Sequence, residues 1–183
     1  MPFLPTPISD LVVFEPKVWR DDRGYFYESY NEATFKSAGI STIFVQDNQA
    51  LSTFGVLRGL HYQLPPYTQA KLVRVIQGEV LDVAVDIREG STTYGQSFSI
   101  RLSAENKKQL FVPRGFAHGY VVLSDTAIFA YKCDNLYHKP ADAGVYFNDP
   151  QFKIDWQIDL EKVILSEKDK EQPRFGEHKK YRE

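Results

Sequence analysis

Apolar and polar residues alternate in short runs along much of this 183-residue chain, the pattern of half-buried β-strands. In the run 80–87, apolar side chains alternate with Asp82, Ala84 and Asp86, so one face is apolar and the other partly acidic. Many short strands separated by turn residues favour a mainly β sandwich or barrel. The other runs that we predict as strands are 25–30, 43–46, 56–63, 72–76, 98–102, 109–112, 118–123 and 128–133.

Turn and cap residues divide these runs. Residues 8–18 alternate weakly and predict an arm or an edge strand. The segment 31–38 predicts a short helix, with Asn31 as N-cap and Gly39 at its end. Gln77-Gly78-Glu79 predicts a hairpin between the strands on either side of it.

The length favours one domain over residues 1–183, ending in a tail at 174–183 whose charged part, 177–183, we expect to fray. Twenty-two basic and 24 acidic residues give a net charge of -2 with no basic stripe, which argues against a nucleic-acid polymer as partner. The single cysteine, Cys133, predicts a small buried thiol. No apolar run has the length of a signal peptide or a membrane span, so we expect a cytoplasmic protein without a membrane partner.

Four polar residues that can carry chemistry lie in or beside strand-like runs: His61, Lys71, His118 and Tyr131. An imidazole, an ammonium group and a phenol can serve as base, fixed cation and acid in proton transfer. Each also has an ordinary structural interpretation, since His61 and Tyr131 could be core residues and Lys71 could lie at a solvated strand end. The residues alone leave these alternatives open.

Arg58 and His61 are three residues apart, so on a regular strand they would face opposite sides. A bend at Gly59 could bring both to one side. Near the C-terminus, Ser166 and Asp169 have the spacing of a capping box. Asp169 could instead orient a histidine, as the third member of a catalytic triad does.

Two further motifs concern ligands. The segment 22–28 combines a turn with Arg23 and Glu28, a hairpin with cross-strand charges or a phosphate-binding arginine. Pro113-x-Gly115-x-x-His118 resembles the second cupin motif, in which the histidine points into the barrel. In metal-binding cupins the first motif has two histidines, but here Gln63 stands in the place of the second one. Because a catalytic metal usually needs three protein ligands, we expect no metal.

Taken together, these motifs resemble the dTDP-4-dehydrorhamnose 3,5-epimerases, from about residue 10 to residue 173. The resemblance implies a cupin-type jelly-roll barrel with short flanking helices, and a homodimer in which the N-terminal arm, residues 1–30, reaches the partner. It implies dTDP-4-dehydro-6-deoxy-D-glucose as the substrate and no cofactor, because the ketone of the substrate acidifies the neighbouring hydrogens. The segments that carry the resemblance are 22–28, 44–48, 57–61, 71–74, 82–88, 102–106, 113–119, 148–150 and 165–169.

The resemblance also implies roles for single residues. His61 would be the base, Tyr131 the acid on the opposite face, Asp169 the group that orients His61, and Lys71 the cation beside the ketone oxygen. Tyr137 matches an aromatic residue that stacks on thymine. The remaining substrate-binding positions would be Arg23, Glu28, Gln46, Asn48, Arg58, His118 and Lys168.

One position departs from the family pattern. Ala143 stands where members often have Glu, and the adjacent Asp142 should point elsewhere if the segment is extended. Three other functions remain as alternatives: an epimerase acting at carbon 3 or carbon 5 alone, a 3,4-ketoisomerase, and a non-catalytic module that binds a sugar nucleotide. A metal-dependent cupin enzyme is disfavoured by Gln63.

Overall fold

The computed structural model describes residues 2–182, and antiparallel strands dominate it, which confirms the mainly β prediction. In chain order the strands are β1 (Phe3–Pro5), β2 (Val12–Phe14), β3 (Val18–Asp21), β4 (Gly24–Tyr27), β5 (Gln46–Thr53), β6 (Leu57–Gln63), β7 (Lys71–Gln77), β8 (Glu79–Asp86), β9 (Ser97–Ser103), β10 (Gln109–Val112), β11 (Phe116–Val122), β12 (Thr126–Cys133) and β13 (Asp142–Gly144).

The strands form two large sheets and a separate hairpin. The six-stranded sheet has the order β1-β2-β10-β7-β12-β5, and the five-stranded sheet has the order β13-β6-β11-β8-β9. Among the described residues, strands β3 and β4 pair only with each other, with Asp22 and Arg23 at the turn. The helices are short: α1 (Glu32–Ser37), α2 (Glu167–Lys170) and the 3₁₀ turns Lys139–Ala141 and Leu160–Lys162.

The inner faces of the two sheets enclose the main core. Val73 and Phe129 of the six-stranded sheet pack in one buried cluster with Val80 and Tyr120 of the five-stranded sheet. At one end this space is not filled by apolar side chains, and the cavity described below lies there.

The outer faces of both sheets are also covered. The apolar face of β8 packs under the C-terminal segment 145–181, including Trp156 and Tyr181. Phe35 of α1 packs with Leu72 and other apolar residues on the outside of the six-stranded sheet. The last third of the chain therefore completes the core, although its sequence is polar.

Helix α1 begins as predicted. The Asn31 side chain accepts a hydrogen bond from the N–H of Thr34 at 3.2 Å, which is the contact of an N-cap. Gly39 follows the helix with a φ of +84°, a conformation that glycine adopts without steric cost.

The predicted hairpin at Gln77-Gly78-Glu79 is wrong. Strands β7 and β8 belong to different sheets, so the chain crosses from one sheet to the other at this turn. Gly78 has a φ of +77°, and a Cβ there would lie 2.1 Å from the carbonyl oxygen of Thr126. The turn residues were correctly recognised, but they do not reveal whether the following strand returns to the same sheet.

Two other strand predictions also need correction. The strand predicted at 43–46 begins only at Gln46 and continues to Thr53. The inward-facing side chains of this edge strand are mostly polar, so its sequence lacks the alternation of apolar and polar residues that predicts a strand. Residues 8–18 do not form the sheet edge: β2 lies between β1 and β10, and β1 is the edge.

The expectation of a frayed tail is wrong for the described residues. Tyr181 is buried and bridges to Arg88, and the hydroxyl of Tyr62 donates to the carbonyl oxygen of Lys179 at 2.5 Å. The last residue, 183, lies outside the described part. Across residues 2–182 the structure contains no helix with the length and hydropathy of a membrane span.

Candidate active site

A cavity of about 510 Å³ opens between the two sheets. A second cavity of about 360 Å³ adjoins it and shares His61, Lys71, Tyr131 and Lys168 with it. The other predicted site residues on the first cavity are Arg58, His118 and Asp169, and those on the second are Gln46, Asn48 and Tyr137. Ten of the twelve predicted site residues therefore line one continuous hollow.

The two sheets supply different chemical groups to this hollow. His61 on β6 lies beside His118 on β11, both in the five-stranded sheet. Lys71 on β7 and Tyr131 on β12 come from the six-stranded sheet. Because the sheets form opposing walls, a ligand between them would have the imidazole of His61 and the phenol of Tyr131 on different sides.

The bend predicted at Gly59 is present. Gly59 has a φ of +138°, and a Cβ there would lie 2.6 Å from the Cα of Gly119 on the next strand. The pairing of β6 with β11 also shifts register at this point. As a result Arg58 and His61, which a regular strand would separate, both line the cavity.

His61 is held by Asp169, which is distant in sequence. The Nε2 of His61 and the Oδ1 of Asp169 are 2.5 Å apart. The aspartate side chain is only 4% exposed, whereas that of His61 is 29% exposed and faces the cavity. Burial alone would raise the pKa of Asp169, but its hydrogen bond to His61 and the charge of His61 outweigh burial, and the pKa is lowered. The carboxylate thus stays ionised behind the imidazole.

The structure shows both contacts that the sequence left as alternatives for Ser166 and Asp169, the helix cap and the contact of Asp169 with a histidine. The Oγ of Ser166 accepts a hydrogen bond from the N–H of Asp169 at 3.2 Å, so Ser166 caps α2 as the capping-box spacing predicts. The same short helix directs the Asp169 carboxylate to His61. The cap therefore holds in place the aspartate that contacts His61.

His118 belongs to a second histidine–aspartate pair. Its Nε2 lies 3.0 Å from both carboxylate oxygens of Asp82 on the neighbouring strand β8. This pair is more deeply buried, with side-chain exposures of 6% for His118 and 0% for Asp82. Sequence reasoning did not assign Asp82 to the site, although its place on the acidic face of the run 80–87 was the available signal.

Lys71 presents an unpaired ammonium group to the hollow. Within residues 2–182 no side chain forms an ion pair or a hydrogen bond with it. Burial lowers the pKa of Lys71, while the acidic groups of Cys133, Asp82 and Asp142 oppose that change. A cation without a protein partner, in a site of low dielectric, is available to an oxygen on a ligand.

Tyr131 keeps its proton over a wide pH range. Burial raises its pKa to about 12, and the neighbouring Cys133 and Tyr120 add to the effect. Its ring lies beside that of Phe129, with centroids 6.0 Å apart. Tyr131 is therefore a neutral phenol at neutral pH and can act as a proton donor. Cys133 is buried, as predicted.

The second cavity is lined by a connected set of polar side chains. Gln46 donates to Asn48 at 3.0 Å and accepts from the main-chain N–H of Tyr137 at 2.9 Å. The Tyr137 hydroxyl donates to Asp142 at 3.1 Å, and Lys168 forms an ion pair with the same carboxylate. Tyr137 as a whole residue remains 52% exposed, so its ring is accessible for stacking.

The expectation that Asp142 points away from the site is wrong. Asp142 lies opposite Gln63 and Gly144 lies opposite His61 in the pairing of β13 with β6, so Asp142 and His61 share a face. Asp142 lines the second cavity, whereas Ala143 is buried in the core behind it. An acidic side chain therefore does face the site from this strand, at position 142 and not at position 143, where family members often have Glu.

Arg23 and Glu28 lie outside the hollow. Arg23 is at the tip of the hairpin of β3 and β4, is 90% exposed, and pairs with Asp21 at 2.5 Å. Glu28 accepts a hydrogen bond from Asn31 at 2.9 Å. Neither residue lines the two adjoining cavities described above.

Gln63, in the place of a metal-ligating histidine, has a structural role. Its amide donates to the carbonyl oxygen of Tyr67 at 2.9 Å and accepts from the N–H of His138 at 2.7 Å. In the part of the chain that the structure describes, no three His, Cys, Asp or Glu side chains come together in a way that could hold a metal ion.

A two-sheet β fold of this kind, with an imidazole, an ammonium group and a phenol around one cavity, has the architecture of a cupin-type barrel and the groups that proton transfer needs. A family model described as dTDP-4-dehydrorhamnose 3,5-epimerase matches residues 5–177. The chain belongs to this family of isomerases.

Individual relatives agree with this assignment over nearly the whole chain. The dTDP-4-dehydrorhamnose 3,5-epimerase of Shigella flexneri is 52% identical over 170 residues, which cover 92% of this chain and 93% of that protein. The crystal structure of the enzyme from Elizabethkingia anophelis has a TM-score of 0.92 and 54% identity, covering 95% of this chain and 96% of the other. The dTDP-6-deoxy-D-glucose-3,5-epimerase of Legionella pneumophila, solved in complex with dTDP-4-keto-L-rhamnose, has a TM-score of 0.93 and 46% identity, covering 99% and 98%. These neighbours confirm the cupin-type jelly roll.

Proposed function

We propose that this chain inverts carbons 3 and 5 of dTDP-4-dehydro-6-deoxy-D-glucose to give dTDP-4-dehydro-L-rhamnose, with His61 as the base and Tyr131 as the acid. One observation carries the assignment of roles: His61 and Tyr131 line the same cavity from opposite sheets, with Asp169 behind the histidine and Lys71 on the shared wall.

The first step is removal of a proton by His61. The ketone at carbon 4 acidifies the hydrogens on carbons 3 and 5, so the electron pair of the broken C–H bond moves into an enolate. The proton goes to the imidazole, and Asp169 stabilises the imidazolium that forms. The enolate oxygen takes the negative charge, and the unpaired ammonium group of Lys71 is the available cation.

The second step is protonation from the other side by Tyr131. The hydroxyl gives its proton to the same carbon on the face opposite to His61, which restores the ketone with inverted configuration. The proton on His61 then returns to the phenolate through solvent, so the enzyme ends in its starting state. The same sequence at the second carbon, after the sugar ring flips, completes the reaction without an external electron acceptor.

The nucleotide would occupy the second cavity. Tyr137 offers an exposed ring for the thymine base, and Gln46 and Asn48 supply amides to polar groups of the ligand. Lys168 lines both cavities, which places a positive charge near the junction of nucleotide and sugar, where the diphosphate would lie.

We further propose that the enzyme is a homodimer in which Arg23 and Glu28 of one chain complete the site of the other. The support is that both positions match substrate-binding positions of the family, yet neither lines the two adjoining cavities that hold the other ten residues. A mixture of the two single variants Arg23→Ala and His61→Ala tests this arrangement.

Each variant alone should be nearly inactive. Random mixed dimers should recover about a quarter of the wild-type activity, because half of the dimers contain one site with both residues intact. A mixture with no more activity than its components would contradict the shared site, and size-exclusion chromatography of each variant checks that dimers form.

The reaction itself is tested by incubating the enzyme with its substrate in heavy water in the presence of a metal chelator. Deuterium at both carbons, together with the L-configured product, is the expected result by NMR. Label at one carbon would instead indicate a single-centre epimerase, and absence of label would indicate a binding module. The expected cytoplasmic location stays a prediction, which cell fractionation would test.

A further inference from the structure

Tyr120 is a buried tyrosine whose hydroxyl has no partner. The residue is 4% exposed, and within residues 2–182 no group meets the full geometry of a hydrogen bond with its hydroxyl, although Ser52 and Arg58 lie near enough to oppose the rise in its pKa that burial causes. A buried polar group without a partner destabilises a fold, so such groups are rare unless they serve another purpose.

The position of Tyr120 connects it to the sugar end of the hollow. It lines the first cavity but not the second one, so it lies away from the nucleotide side. It is opposite Arg58 in the pairing of β11 with β6, and two residues after His118 on the same face of β11. Its ring stacks on Phe129, with centroids 4.0 Å apart and an interplanar angle of 18°.

The polar side chains nearest the Tyr120 hydroxyl, Ser52 and Arg58, are bonded to each other. Ser52 is buried, and its hydroxyl accepts a hydrogen bond from the Nε of Arg58 at 3.2 Å. The Arg58 side chain is otherwise exposed, and it lines the same cavity. Arg58 and Tyr120 therefore line one part of the cavity together, so a ligand group that meets one of them is also close to the other.

We propose that Tyr120 is a further substrate-contacting residue, whose hydroxyl forms a hydrogen bond with a ring hydroxyl of the sugar beside Arg58. The inference rests on the proposed function, because it takes the occupant of the first cavity to be the sugar of a sugar nucleotide. It predicts that Tyr120 distinguishes the sugar nucleotide from the nucleotide alone.

The experiment compares Tyr120→Phe with the wild-type dimer by calorimetric titration of two probes, dTDP and dTDP-glucose. The phenylalanine ring retains the stack on Phe129 and removes only the hydroxyl. We expect the affinity for dTDP-glucose to fall about 5- to 10-fold, the effect of one lost hydrogen bond. The affinity for dTDP should not change, and the melting temperature without ligand should stay the same or rise.

Tyr62→Phe is the matched control: Tyr62 is equally buried and borders the second cavity, but its side chain packs in the core with Ala143 and its hydroxyl donates to the carbonyl oxygen of Lys179. This variant should melt at a lower temperature and bind both probes as the wild type does. The proposal is overturned if Tyr120→Phe binds dTDP-glucose normally, loses affinity equally for both probes, or melts lower as the control does. Failure of the wild type to bind dTDP would overturn the proposed function and this inference with it.

Discussion

The two histidine–aspartate pairs of this protein use the same side chains in different settings. His118 and Asp82 lie on adjacent strands of one sheet, almost fully buried, with both carboxylate oxygens at 3.0 Å. His61 and Asp169 are 2.5 Å apart, and the aspartate comes from a four-residue helix far along the chain. In this second pair the carboxylate is buried and the imidazole reaches the cavity.

The difference separates a buried pair within the wall from an imidazole that a ligand can reach. An imidazole that must accept a proton from a ligand needs access to it, together with a carboxylate that stabilises the charged form. The His61 pair meets both conditions. The His118 pair is enclosed by strand neighbours on both sides, so its carboxylate serves mainly to satisfy a buried ring.

The largest effect should come from His61→Ala, which removes the proposed base. We expect turnover to fall about 10²–10⁴-fold, the usual contribution of a positioned base, while the circular dichroism spectrum and dimer mass stay unchanged. Steady-state assays of the product measure the loss. Near-normal turnover would show that another group removes the proton.

Substitution of the two aspartates should affect different properties, turnover for Asp169 and stability for Asp82. Asp169→Asn should lower turnover by about 10²-fold, because the imidazolium loses its counter-charge, with a smaller loss of unfolding free energy than the change at Asp82. Asp82→Asn should lower the unfolding free energy by about 1–3 kcal/mol, because His118 loses a buried partner. Urea unfolding and product assays on both variants separate the two effects, and identical profiles would remove the distinction between the pairs.

The helix caps allow a finer comparison. Ser166→Ala removes the cap of α2 and should cost about 1 kcal/mol of unfolding free energy and reduce turnover with little change in KM, since Asp169 loses its fixed position. Asn31→Ala removes the cap of α1 at a similar cost in stability, but it should leave turnover unchanged. Equal turnover in both variants would contradict a positioning role for Ser166.

The smallest effect concerns stability in acid. The pKa of Asp169 is lower in the folded chain than its ordinary value of 3.8, so the folded state binds fewer protons than the unfolded state in that range. The contribution of Asp169 is therefore complete above the ordinary value and is lost as the pH falls through the folded value.

Urea unfolding at about pH 3 and about pH 6 measures this loss, and it should be smaller in Asp169→Asn than in the wild type. An equal loss in the two proteins would show that Asp169 is not the group responsible.

The sequence predicted those parts of the fold that follow from local pattern. The alternation in the run 80–87 and the cap at Asn31 were both confirmed, because the strand period and the cap contact involve near neighbours. The pairing at Gly78 was wrong, and the strand β5 was missed in part, because the choice of sheet and an inward polar face depend on distant residues.

The candidate site shows the same limit. His61, Lys71 and Tyr131 were identified by residue type and strand context, and by the family resemblance. The orientation of Asp142 was wrong because a shift of one residue in a short strand reverses the face of its side chain. The unpartnered hydroxyl of Tyr120 was not predictable, since only the packing around it shows that a partner is missing.

The most direct test of the central claim is the behaviour of Tyr131→Phe with substrate in heavy water. If His61 removes the proton and Tyr131 returns one to the opposite face, this variant should still exchange hydrogen for deuterium on the His61 side while the configuration is retained. NMR of the sugar reports label and configuration together. Inversion at the wild-type rate in the absence of the phenol would contradict the account.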